Sequence, residues 1–196
     1  MHLDLTPATG TLAEVVSGIG DAQLSAPTPC RGVTVAGLLD HVDGLSLAFT
    51  AAAAKDLDAG RQPPSADGSR LGTDWRTRIP GQLARLAAAW QDDAAWAGMT
   101  RVGGADLPAE VAVTVAIDEL VVHCWDLAMA AGLKFAADET MLNAAYGFAQ
   151  AAVARNPNGS AGLFGPPVAV PDDAELLDRL LGLTGRDPAW RPASKD

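Results

Sequence analysis

A chain of 196 residues is long enough for one domain with its own core, so neither disulfides nor a structural metal are needed for folding, and a bound metal would serve chemistry. With 14 Lys and Arg against 24 Asp and Glu, the net charge is −10. That balance, with no basic cluster, argues against nucleic acid or an anionic membrane surface as partner. Cys30 and Cys124 form no C-x-x-C pair, and Met1-His2-Leu3-Asp4 has neither the basic nor the apolar part of a leader. The longest apolar stretch, around 107–131, is broken by Glu110, Asp118, Glu119, His123 and Asp126. The expectation is a cytoplasmic protein without a membrane span.

The first helix is expected from about Ala8 to Ile19, where Leu12, Val15, Val16 and Ile19 share one face. Ala26 to Gly32, with Pro27 and Pro29, reads as a loop. Thr34 is a good capping residue for a second helix running to about Ala54, with Leu38, Val42, Leu45 and Phe49 on its apolar face. His41 lies within that face and points inward, as a core histidine or as a ligand. Residues 55–72 form a polar connection, read as a flexible loop or as a cover for a site. A third helix is expected over about Asp74–Trp96, with Arg76, Arg78 and Arg85 as surface groups or as contacts to an anionic substrate.

Gly98–Asp106 reads as a loop, and the central helix then runs from about Pro108 to Gly132. A fifth helix begins at the capping residue Asp138 and ends at Asn156-Pro157-Asn158-Gly159. Residues 164–171 are extended, and Asp172 is expected to cap a short last helix closed by Gly185. Five or so helices with almost no strand describe an all-α bundle, and no P-loop or G-x-G-x-x-G is present.

The central helix carries the chemistry. Glu119 and His123 are four residues apart, about 40° from each other on one face, and Asp126 falls on the same stripe. The helix is apolar nearly all round, so these groups are buried and require partners. An internal hydrogen-bonded pair satisfies that demand, and so does a metal. With His41 from the second helix, the set His41, Glu119 and His123 has the number and type of ligands that a catalytic divalent ion uses. Zn²⁺ is the default ion, with Ni²⁺, Fe²⁺ and Mn²⁺ also compatible. Asp126 is then a candidate to orient a ligand histidine, or else a surface or capping residue. Cys30 allows a nucleophile reading, but with no base beside it in sequence it is taken as structural, and Cys124 as core.

Thr28-Pro29-Cys30, Val35-x-x-Leu38-Leu39-x-His41, Glu119-Leu-Val-Val-His123-x-Trp125-Asp126-Leu-Ala128, Phe164-Gly165 and Gly185-Arg186-Asp187-Pro188 together resemble the actinobacterial metal-binding proteins of the DinB-like superfamily, related to the N-terminal domain of mycothiol-dependent maleylpyruvate isomerase. The resemblance spans nearly the whole chain. It implies a DinB-like four-helix bundle over residues 1–196 as a single domain, without that isomerase's separate C-terminal domain. It also implies metal ligands at His41, Glu119 and His123, and a metal-dependent enzyme that activates a low-molecular-weight thiol such as mycothiol or bacillithiol for transfer or isomerisation with an electrophilic substrate. It further allows a homodimer through helix faces. Val33 departs from the family pattern, which has Trp there. A metal-dependent hydrolase and a non-catalytic metal-binding or stress-response bundle are the rival readings.

Overall fold

Apolar residues at helical spacing, and side chains that satisfy the first backbone amides, decide where the helices lie. The computed structural model describes residues 2–160 and 162–192. In chain order its elements are α1 (Thr6–Gly18), α2 (Val35–Ala53), α3 (Trp75–Ala89), α4 (Asp93–Trp96), β1 (Met99–Val102), β2 (Ala105–Pro108), α5 (Ala109–Ala131), α6 (Glu139–Arg155) and α7 (Leu176–Leu183). The Thr34 hydroxyl accepts the Gly37 amide at 3.2 Å and so starts α2, while the Asp138 carboxylate accepts the amides of Thr140 and Met141 and starts α6. α1 has Pro7 in its first turn, and α5 starts after Pro108 and ends at Gly132.

α1 and α2 each pack against both α3 and α5, which closes a four-helix bundle. Leu12, Val16, Leu38, Leu39, Ile79, Leu83, Ile117 and Leu127 fill its centre and are buried. Each contributes about 1.5–3 kcal/mol by leaving water. α6 covers the outer face of α5, and α7 packs on α6. Among the described residues the fold is thus all-α apart from one short hairpin. Among the described residues no helix is long and apolar enough to cross a membrane.

Three departures from expectation have local causes. The third helix stops at Ala89 because two indoles make the chain turn: Trp90 donates to the Phe49 carbonyl at 3.0 Å and Trp96 to the Trp90 carbonyl at 2.8 Å, with their rings edge to face at 5.6 Å. Residues read as a loop form the hairpin β1–β2, whose connection Gly103-Gly104 has positive φ at both positions (58° and 83°), the conformation that matches strand twist in a two-residue turn. The Thr100 hydroxyl ties the hairpin to the Ala52 carbonyl at the end of α2. Finally, Asp172 does not cap the last helix, which starts after Glu175 without a side-chain cap.

The polar connection after α2 is partly packed onto it. Ser65 Oγ and the Asp67 amide both donate to the Asp40 carboxylate. A Cβ on Gly37 would lie 2.8 Å from the Ala66 carbonyl, so a side chain there would push the connection away from α2.

Candidate metal centre

α5 is buried over almost its whole length, so its polar side chains are enclosed by neighbouring elements whichever way they point. Glu119 and His123 stand one turn apart, with His123 Nε2 2.9 Å from Glu119 Oε2. From α2, His41 Nε2 lies 3.8 Å from the same oxygen. The two imidazole rings meet edge to face with centroids 5.1 Å apart. One ligand atom from each of His41, Glu119 and His123 lies within 4.8 Å of the other two. The three side chains singled out from the sequence therefore converge.

The far side of each imidazole is fixed. His41 Nδ1 lies 3.2 Å from the Ser65 carbonyl, which can only accept, so Nδ1 carries a proton and Nε2 is the ring nitrogen turned toward Glu119. His123 Nδ1 donates to Asp126 Oδ2 at 3.0 Å. Asp126, fully buried, is in turn held by Arg186, whose Nη2 donates to Oδ2 at 3.0 Å while its Nη1 donates to the Thr184 carbonyl at 2.8 Å. A surface role for Asp126 is thereby excluded.

Charge follows this geometry. Burial alone would lower the His123 pKa, but the hydrogen bonds to Asp126 and then Glu119 outweigh it and raise the imidazole to about 9. Burial pushes Glu119 up, yet His123 and then His41 pull it well below the usual carboxylate range. Without a metal, the two carboxylates on either side of His123 thus favour its charged form. Asp118, one residue before Glu119, is buried with its Oδ1 unpartnered among the described residues, and burial followed by the neighbouring Glu119 charge raises its pKa well above the ordinary value.

The three residues open onto a cavity of about 550 Å³. Its other walls include the 29–33 loop, with Cys30 and Arg31, the stretch after α6, with Gly165, Pro166 and Val168, and the segment after α7, with Arg186. Burial pushes the Cys30 thiol up, with Arg186 opposing and Asp126 and Glu119 adding to the rise, so its position in the wall does not make it a ready nucleophile. Cys124 is buried in the core and raised to about 12, mainly by burial. Arg76 and Arg78 are occupied elsewhere: Arg76 bonds Asp21 and the Ile19 carbonyl, and Arg78 bonds Asp43 and Asp74. Neither reaches the cavity. Sequence reasoning missed Arg186 as a partner of the site, although the Gly185-Arg186-Asp187-Pro188 motif marked its position. The pinning of His41 by the Ser65 carbonyl had no sequence signal, because a backbone atom makes it.

Residues 5–128 match the family model of the mycothiol maleylpyruvate isomerase N-terminal domain. No functionally curated protein matches the chain. The crystal structure of the mycothiol-dependent maleylpyruvate isomerase is similar at 20% identity and a TM-score of 0.54, over 70% of this chain and 62% of that one. A histidine-to-alanine mutant of that isomerase is similar at 21% identity with the same TM-score and coverage. This chain therefore spans less than two thirds of those relatives' length, and at such identity the likeness concerns the fold.

Proposed function

The chain belongs to the mycothiol maleylpyruvate isomerase N-terminal domain family, and on that basis we propose that it is a metal-dependent enzyme that activates a low-molecular-weight thiol of the mycothiol type for transfer to, or isomerisation of, an electrophilic small molecule. The observation that carries this reading is the convergence of His41 Nε2, Glu119 Oε2 and His123 Nε2 at the edge of an open cavity. Three donors of this kind fit a divalent ion that keeps positions free for substrate, with zinc as the first choice. Both imidazoles present Nε2 inward because Nδ1 is engaged by Ser65 or Asp126, the arrangement a histidine ligand requires.

When bound, the ion would supply Lewis acidity that lowers the pKa of a coordinated thiol. The protein's own part is orientation and shielding. Glu119 offers one carboxylate oxygen between the two rings. Asp126 and Arg186 hold the His123 ring against rotation. Apolar wall residues such as Val33, Leu38 and Val168 would limit water around a bound thiol.

The direct test uses cobalt in place of the native ion. Adding mycothiol to the cobalt-loaded chain is expected to produce a sulfur-to-cobalt charge-transfer band in the near ultraviolet, and the band should be absent from Glu119→Ala. A cobalt-loaded protein whose spectrum is indifferent to mycothiol would contradict thiol activation and favour a hydrolytic or non-catalytic site.

A further inference from the structure

Resting on the proposed thiol-activating site, we infer that Arg31 is the recognition residue for an anionic group, a carboxylate or comparable oxyanion, on the molecule that meets the thiol. Arg31 is exposed on the wall of the same cavity as His41, Glu119 and His123. Among the described residues it has no carboxylate partner. The other arginine of the cavity, Arg186, is committed to Asp126. Arg31 is thus the cavity's uncommitted guanidinium, with a donor fork that matches a carboxylate in shape and charge.

Its position is built. Residues 30–33 form a turn closed by the Val33 amide on the Cys30 carbonyl at 3.1 Å, and Gly32 at φ 79° takes the left-handed place that such a turn demands. The buried Thr28 fastens the base of the turn, its hydroxyl donating toward the carbonyls of Cys30 and Val33. Pro27 and Thr34 bridge across its ends. Arg31 therefore stands on a hydrogen-bonded corner of the cavity wall.

Electrostatics of the cavity favours the same ligand class. With a divalent ion held by neutral imidazoles, the positive charges of the ion, Arg31 and Arg186 exceed the negative charges of Glu119 and Asp126. This is a local reversal of sign in a chain whose net charge is −10. A deprotonated thiol removes part of the excess, and an anionic group on the second molecule would remove the rest. Its place is at Arg31, the cation that no carboxylate of the described residues neutralises.

The test is calorimetric titration of the zinc-loaded chain with succinate and, separately, with its uncharged diamide. It would compare wild type, Arg31→Gln, Arg31→Lys and, as a control outside the cavity, Arg155→Gln. Metal content and the cobalt–mycothiol band are measured on the same preparations. Succinate should bind wild type and Arg155→Gln equally, about 10-fold more weakly to Arg31→Gln, and with intermediate affinity to Arg31→Lys. The diamide should not distinguish the variants. Succinate binding that is unchanged in Arg31→Gln, with metal and mycothiol band intact, overturns the role of Arg31 and leaves thiol activation standing. Loss of the metal or of the band from wild type overturns both.

Discussion

The inner part of the cavity and its entrance are held in different ways. Its inner end comes from α2 and α5, where both imidazoles that would face an ion are fixed from behind, His41 by the Ser65 carbonyl and His123 by Asp126, which Arg186 holds in turn. The entrance comes from the turn around Arg31 and the extended stretch after α6, where backbone bonds and proline hold the shape and Arg31 has no carboxylate partner among the described residues. Helical side chains with a second tier of bonds keep ligand atoms in register, whereas loops on a fixed frame set which molecule is admitted. The family match cuts across that division, since it includes the turn around Arg31 with the inner helices but not Arg186. Residues 5–128 contain His41, Glu119, His123 and Asp126, while Arg186 and the wall formed by 162–168 lie beyond it.

The contrast breaks most severely at Arg186, where the two halves join. Arg186→Met would leave the buried Asp126 carboxylate without its cation, and a loss of about 3–5 kcal/mol of stability is expected in urea denaturation. A loss below about 1 kcal/mol would show that Asp126 is held by His123 alone. Next in size is Asp126→Ala, which frees the His123 ring and should weaken zinc binding about 10- to 100-fold in a competition assay with a chelating dye, while leaving a metal site in place. Equal affinity would mean that helix packing orients His123 without Asp126.

A pH series sharpens the comparison from the side of charge. In the metal-free chain the His123 pKa is raised from 6.5 to about 9, because hydrogen bonds to Asp126 and Glu119 outweigh burial. Its contribution to stability is therefore fully present below about pH 6.5 and is lost as pH rises through about 9. Denaturation of the metal-free chain at pH 6, 8 and 10 should show a decline that is absent from His123→Gln. The smallest effect is expected at the entrance: Cys30→Ser should leave zinc content unchanged and shift stability by no more than about 1 kcal/mol. A large loss of zinc would make Cys30 part of the ligand set.

Much of the inner part of the cavity was legible in the sequence because helical periodicity is a strong signal. Leu38, Val42 and Leu45 turn His41 inward, and the four-residue step from Glu119 to His123 aligns the pair. Thr34 and Asp138 marked two helix starts correctly, since capping needs only a local hydrogen bond. The hairpin was not seen because its strands are four residues each, too short for an alternation to register, although Gly103-Gly104 was its turn signal. Trp90 continues the helical spacing of Leu83 and Leu86, and only the bonds of Trp90 and Trp96 to backbone carbonyls reveal that the chain turns there. Arg186 meets Asp126 across 60 residues of sequence, a pairing no local pattern announces. Asp118 and Asp126 look alike on a helix that is apolar nearly all round, yet one is unpartnered among the described residues and the other is bonded to both His123 and Arg186.

The most direct measurement is metal content by mass spectrometry on untagged protein, comparing wild type with His41→Ala, Glu119→Ala and His123→Ala. The account predicts about one divalent transition-metal ion per chain in wild type and little in any of the three variants. Wild-type protein that stays metal-free after incubation with zinc or nickel, or variants that retain the wild-type content, would contradict it.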